Sequence, residues 1–127
     1  MYCSRKAIKM KVLIERIGDL NDLVMQGASE EVLEQFYHDE IITQVNDDIP
    51  VMGKNANRKV LKSRLNDILE FKSAKPLKVT IGEQITMVEW HMNYKHKVLG
   101  ERCYTQVAVH DWRDGKVIKE KLYCGNK

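Results

Sequence analysis

The stretch Arg102-Cys103-Tyr104-Thr105-Gln106-Val107-Ala108-Val109-His110-Asp111-Trp112-Arg113-Asp114-Gly115-Lys116-Val117-Ile118-Lys119-Glu120-Lys121-Leu122-Tyr123 decides the architecture. β-Branched and aromatic residues crowd both sides of Asp114-Gly115, which is the composition of two paired strands around a turn. Gly115 can take the left-handed conformation, so the spacing predicts a three-residue loop, Arg113 to Gly115, built as a type I turn with a G1 bulge. Trp112 then pairs with Lys116, His110 lies opposite Ile118, and Ala108 opposes Glu120. Strand alternation sorts the hairpin into two faces. One carries Tyr104, Gln106, Ala108, His110 and Trp112, joined by Ile118, Glu120, Leu122 and Cys124. It mixes apolar bulk with a few hydrogen-bonding groups, as a small-molecule pocket does. The other carries Cys103, Thr105, Val107, Val109 and Asp111 with Val117, Lys119, Lys121 and Tyr123, enough Val and Tyr to pack on a partner chain inside a rim of Lys. A two-residue loop would shift the pairing and undo this sorting.

Upstream, helical spacing comes first. Met10, Leu13, Ile14, Ile17, Leu20 and Val24 predict a helix over Lys6 to Gln26, stopped by Gly27. Ser29 reads as the N-cap of a short helix, Glu30 to Tyr37, with Glu30 and Glu31 at the positive end of its dipole. Ile41 to Asn46 reads as a strand, broken by Asn46 to Pro50. Gly53-Lys54-Asn55 opens a third helix whose stripe is Val60, Leu61, Leu65, Ile68 and Leu69, ending before Ser73 to Pro76. Leu77 to Ile81, Gln84 to Lys95, Arg102 to Asp111 and Lys116 to Cys124 read as strands. In Gln84 to Lys95 the apolar set Val88, Trp90, Met92 and Tyr94 is expected to face the helices. Helices followed by an antiparallel meander make an α+β layout.

The chain has 127 residues, 43% hydrophobic and 31% charged, which fits one globular domain, taken as residues 1–127. No apolar run nears the ~18 residues of a membrane span, and no apolar segment follows the basic N-terminal residues as in a secretory signal. Cys3, Cys103 and Cys124 are odd in number and widely scattered, against a disulfide framework or a structural zinc site and for a reducing cytoplasm. A net charge of +3 says little about partners. The basic residues from Lys54 to Lys78 lack the interleaved aromatics of a single-strand binder, with Phe71 alone among them and expected in the core, so no nucleic-acid partner is expected.

The order helix, short helix leaving through Phe36-Tyr37-His38-Asp39-Glu40, strand, Gly-led helix, long sheet and Trp-x-Asp-Gly-Lys-Val turn resembles the SnoaL-like branch of the nuclear transport factor 2-like superfamily over nearly the whole chain. The resemblance implies a curved sheet wrapped around the long first helix as a cone with a central pocket, and often a dimer through the sheet's outer face. Its members include isomerases, cyclases, epoxide hydrolases and dehydratases as well as plain binding modules, so fold alone does not fix function. The catalytic positions of two branches do not carry over. Where steroid-isomerase-like members place an acid on the penultimate strand this chain has Ala108, and where they place a base it offers Gln44, Val45 and Asn46. Where epoxide-hydrolase-like members have an Asp on the last strand it has Leu122.

Candidate chemistry therefore rests on other residues. Glu120, between Ile118 and Leu122, suits an acid or base whose pKa is set by apolar surroundings, or else it is an ordinary rim carboxylate. His110 suits a proton shuttle, or it is a strand-end histidine beside the turn. Tyr37 and Tyr104 can donate to a ligand oxygen or simply cap the core; Trp90 reads as core or as a ligand platform. Gln106, Trp112, Ile118 and Leu122 complete the expected lining. His91 and His96 point to opposite faces of a strand and lack a third ligand, so no metal and no cofactor is expected. The leading expectation is a cytoplasmic domain, dimeric and membrane-free, that binds a small apolar or amphipathic molecule. The alternative is an isomerase, cyclase or hydrolase using Glu120, with His110 or Tyr104 assisting.

Overall fold

A computed structural model describes residues 5–125; Cys3 lies outside them. Three helices, α1 (Arg5–Met25), α2 (Ser29–Phe36) and α3 (Lys54–Asn66), pack against one six-stranded mixed sheet. Its strands are β1 (Tyr37–Val45), β2 (Val51–Met52), β3 (Ile68–Ile81), β4 (Ile85–His96), β5 (Gly100–Arg113) and β6 (Lys116–Cys124), in spatial order β2-β1-β6-β5-β4-β3. Every neighbouring pair is antiparallel except β1 with β6. The fold is the expected α+β cone.

Leu13, Ile17 and Leu20 form the buried stripe of α1, while Ile14, expected with them, is more than half exposed on the adjacent face. The helix ends in a Schellman motif: Gly27 N–H donates to the Val24 carbonyl and Ala28 N–H to that of Leu23. Gly27 sits at φ +74°, and a Cβ there would lie 2.9 Å from the Phe71 ring, so glycine is required both for the backbone and for the approach of β3. Ser29 is not the cap of α2. It is the first helical residue, behind Ala28, which makes no side-chain cap hydrogen bond. Tyr37 belongs to β1, not to α2, because pairing with Val117 takes it into the sheet.

The third helix is shorter than its apolar stripe suggested. It ends at Asn66, and Ile68 and Leu69 open β3, since Ile68 to Ile81 pairs along the whole of β4. Pro76, which reads as a breaker, sits inside this strand opposite Trp90; β3 is the sheet edge, where a missing N–H is tolerated. Buried Asn57 fastens α3 to the other edge, donating to the carbonyls of Val51 (3.2 Å) and Gly53 (2.8 Å) and accepting from Thr43 Oγ1.

The β5–β6 turn departs from the expected one. Asp114 (φ 52°) and Gly115 (φ 77°) are both left-handed, the signature of a two-residue type I′ turn, and Arg113 pairs with Lys116. Trp112 pairs with Val117 and Asp111 with Lys119, so Ile118 is the extra residue of a β-bulge. The bulge restores the parity that the shorter turn would have lost. Glu120, Leu122 and Cys124 stay on the inner face as expected, but each partner moves by two: Glu120 lies opposite His110, and Ala108 opposite Leu122. Val117, expected outside, is fully buried in the core. Arg16 of α1 clasps the turn, donating from Nη2 to the Gly115 carbonyl at 2.8 Å while lying over the Phe36 ring at 4.2 Å.

Candidate functional site

The sheet's inner face and the three helices enclose a cavity of about 640 Å³. That lies within the range of small-molecule sites. The exposed residues Arg64, Phe71 and Leu99 are part of its lining, so it opens to the surface. On β4, Val88 and Trp90 are buried on the inner side, with Met92 and Tyr94 on the cavity wall, which is the orientation expected for that strand.

Glu120 is the focus of a polar cluster inside this mostly apolar wall. Its side chain is only 15% exposed and that of His110 4%. His110 Nε2 lies 2.8 Å from Glu120 Oε2, and the Tyr37 hydroxyl donates to the same oxygen. Three strands meet here: β5 supplies His110 directly across from Glu120, and β1 supplies Tyr37 from the strand on the other side. Burial by itself pushes the Glu120 carboxyl up. The hydrogen bond and charge of His110, helped by the Tyr37 hydroxyl and the Arg64 guanidinium, outweigh that and hold it below the usual carboxylate range. The Tyr37 hydroxyl moves the other way, raised well above its ordinary value by burial and then by the adjacent Glu120 charge.

These shifts assign the hydrogens. An ionised carboxylate only accepts, so Tyr37 and His110 Nε2 are the donors. His110 Nδ1 is buried without a hydrogen-bond partner. Glu120 is thus held as an anion that orients His110, not an acid at neutral pH. Tyr37 has its single proton committed to Glu120, which removes it as a donor to a ligand oxygen in this state.

Of the other expected residues, Trp90, Tyr104, Gln106 and Leu122 line the cavity. Trp112 and Ile118 do not. Trp112 is core: its Nε1–H donates to the buried Thr86 Oγ1 at 2.9 Å, and its ring meets Phe36 edge-on at 6.3 Å. Ile118 is displaced from the inner face by the bulge. Phe71, expected in the core, is 37% exposed at the cavity opening. His91 contacts Cys103 (3.4 Å) on the outer face while His96 lines the cavity, and among the described residues no three His, Cys, Asp or Glu side chains are grouped to hold a metal. Sequence reading missed Arg64 and Arg102, both on the cavity wall. Arg102 was within reach, since alternation along β5 puts it on the same face as Tyr104 and Gln106.

No protein-family model matches the sequence, and no curated protein is similar to it in sequence. Solved structures are similar in fold. A Jannaschia sp. CCS1 protein assigned as a SnoaL-like polyketide cyclase superposes with a TM-score of 0.77 at 12% identity, over 98% of this chain and 90% of that one. This chain has the SnoaL-like, nuclear transport factor 2-like fold. A Mesorhizobium loti protein with the same assignment gives 0.72 at 16% identity over 87% and 97%. An LEH-like epoxide hydrolase from M. tuberculosis gives 0.74 at 11% identity over 91% and 84%. The fold is therefore shared with proteins given different assignments. Among the described residues no helix is long and apolar enough to cross a membrane.

Proposed function

We propose that this chain binds a small apolar or amphipathic molecule inside its cone. The observation that carries the reading is the cavity itself: about 640 Å³ of open space, apolar along Trp90, Met92 and Leu122, with polar groups confined to a few fixed places. A domain serving only as a scaffold has no reason to leave such a volume unfilled, because voids forfeit packing energy. Trp90 makes the proposal testable. Titration with dodecanol should shift or quench tryptophan fluorescence with a saturable profile, and calorimetry should give the same affinity. No heat and no spectral change at the solubility limit of the alcohol would count against an apolar-ligand site.

A second reading, acid–base catalysis on the same site, is supported by one feature. Glu120 is ionised, doubly held, and bonded to a histidine whose other nitrogen has no partner. That pairing suits an isomerase, cyclase or hydrolase in which Glu120 orients His110 and His110 moves the proton. Cyclases and an epoxide hydrolase among the structural relatives are compatible with it.

The proposed partner is a second copy of the chain, docked through the outer sheet face. Met87 and Tyr123 are each nearly half exposed there, beside Val107 and Val109. Val107→Glu should convert a dimer mass to a monomer mass in light scattering while the far-ultraviolet spectrum is unchanged. A dimer that persists in this variant rules out that face.

A further inference from the structure

We propose that the ligand is an elongated amphipathic carboxylate whose head group sits on Arg102 and whose uncharged end reaches toward Tyr37 and Glu120. This rests on the reading of the cavity as a ligand site and adds the ligand's charge and orientation.

Arg102 lines the cavity, half-buried, and its Nε is fully buried with no hydrogen-bond partner. No carboxylate among the described residues pairs with it, although Lys72, Lys97 and Arg58 each have one. Guanidinium cannot shed its proton, so an unpaired buried Nε–H carries a standing desolvation cost. Nε itself is sealed off, but the Nη groups are not, and a carboxylate in the cavity can accept from them and balance the buried charge. The guanidinium carbon lies 5.4 Å from the Tyr104 ring centroid, within cation–π range.

Two hydroxyls complete the anchor. Those of Tyr94 and Tyr104 lie 3.5 Å apart on the same cavity wall, on residues flanking Arg102: Tyr94 pairs with it across β4–β5, and Tyr104 is two places along β5. Burial, and then the hydrogen bond to Tyr94, raise the Tyr104 hydroxyl further above neutrality, so it stays un-ionised beside a bound anion. One hydroxyl proton lies between the two tyrosines, so the guanidinium and the other hydroxyl, with no acidic side chain among them, form a site for an oxyanion.

The orientation follows from charge and length. Arg102 and His110 lie eight residues apart on one face of β5, about 26 Å along a straight strand at ~3.3 Å per residue, and less along a curved one. Glu120 is across from His110, already ionised, and repels a second carboxylate. Arg64, the other guanidinium on the wall, already acts on the Glu120 charge, and Asp67 is paired with Lys97, so the head group is directed to the Arg102 end.

Dodecanoate and dodecanol separate the two claims, since they share a chain and differ in the head. At neutral pH dodecanoate should bind the wild-type protein at least about tenfold more tightly than dodecanol. Arg102→Gln should abolish that preference, with an unchanged far-ultraviolet spectrum and thermal midpoint showing that the variant is folded. Arg102→Lys keeps the charge but loses the paired Nη donors and should retain part of the preference. Equal affinities in the wild type, or a preference that survives Arg102→Gln, would overturn the inference. Binding of dodecanol with rejection of dodecanoate removes this inference and leaves the apolar reading standing. Binding of neither removes both.

Discussion

Glu120→Ala should lower the folding free energy by about 3–5 kcal/mol, the range for removing one partner of a buried charged pair. The loss arises from what is left behind: the Tyr37 hydroxyl and the buried His110 Nε2 both lose their acceptor. Glu120→Gln keeps the volume and one acceptor oxygen and should cost much less. The two variants also differ from the wild type in acid. Because the Glu120 carboxyl titrates below its ordinary 4.5 in the folded protein, its contribution is fully present above that value. It is lost as pH falls through the folded value, where protonation breaks the contacts with His110. Urea midpoints measured from neutral pH down to pH 3 should therefore fall more steeply for the wild type than for Glu120→Gln. Parallel pH profiles would show that Glu120 is not the linked group. If the site is catalytic, Glu120→Gln should also eliminate turnover in a protein that remains folded; undiminished turnover would remove Glu120 from the chemistry.

The second large effect lies at Trp112. Trp112→Ala should cost about 3–5 kcal/mol, since it empties a fully packed position and removes the edge-on contact with Phe36. Trp112→Phe fills most of the space but takes away the indole N–H, leaving buried Thr86 Oγ1 without its donor, at about 1–2 kcal/mol. Thermal denaturation separates the two. The chain has two tryptophans, so Trp112→Phe also leaves Trp90 as the single fluorophore of the cavity wall. Dodecanol affinity should be unchanged in this variant; a tenfold loss would mean that Trp112 reaches the ligand after all.

The sheet was legible because alternation is a short-range signal. Val88, Trp90, Met92 and Tyr94 announce one face of β4 by composition alone, and the structure puts that face inward. The end of α3 was not legible, because Leu65, Ile68 and Leu69 satisfy a helical period and a strand equally well over so few residues. What decides for the strand is the length of β4, a partner distant in sequence. Pro76 misled for a related reason: its tolerance depends on β3 being an edge, a property of the whole sheet. Within the site, Glu120 and His110 could each be singled out by residue type and face. Their contact could not, because it depends on a turn one residue shorter than expected and a bulge that compensates for it. Arg102 was overlooked because a strand-end arginine looks like a solvated one until its Nε is found buried.

The bulge at Ile118 gives the site an uneven tolerance to changes in chain length. Removing Ile118 leaves Trp112 opposite Val117 and His110 opposite Glu120, so a one-residue deletion there is silent for the polar cluster. Inserting a residue between Lys119 and Glu120 turns the carboxylate toward solvent, and so does irregular growth anywhere from the bulge to the acid, unless the loop changes with it. The Asp114-Gly115 loop can lengthen by one only if the bulge is given up in exchange. Loop and bulge therefore behave as a single inherited unit, and transplanting a three-residue turn from another hairpin without its neighbouring strand would carry the acid out of the cavity.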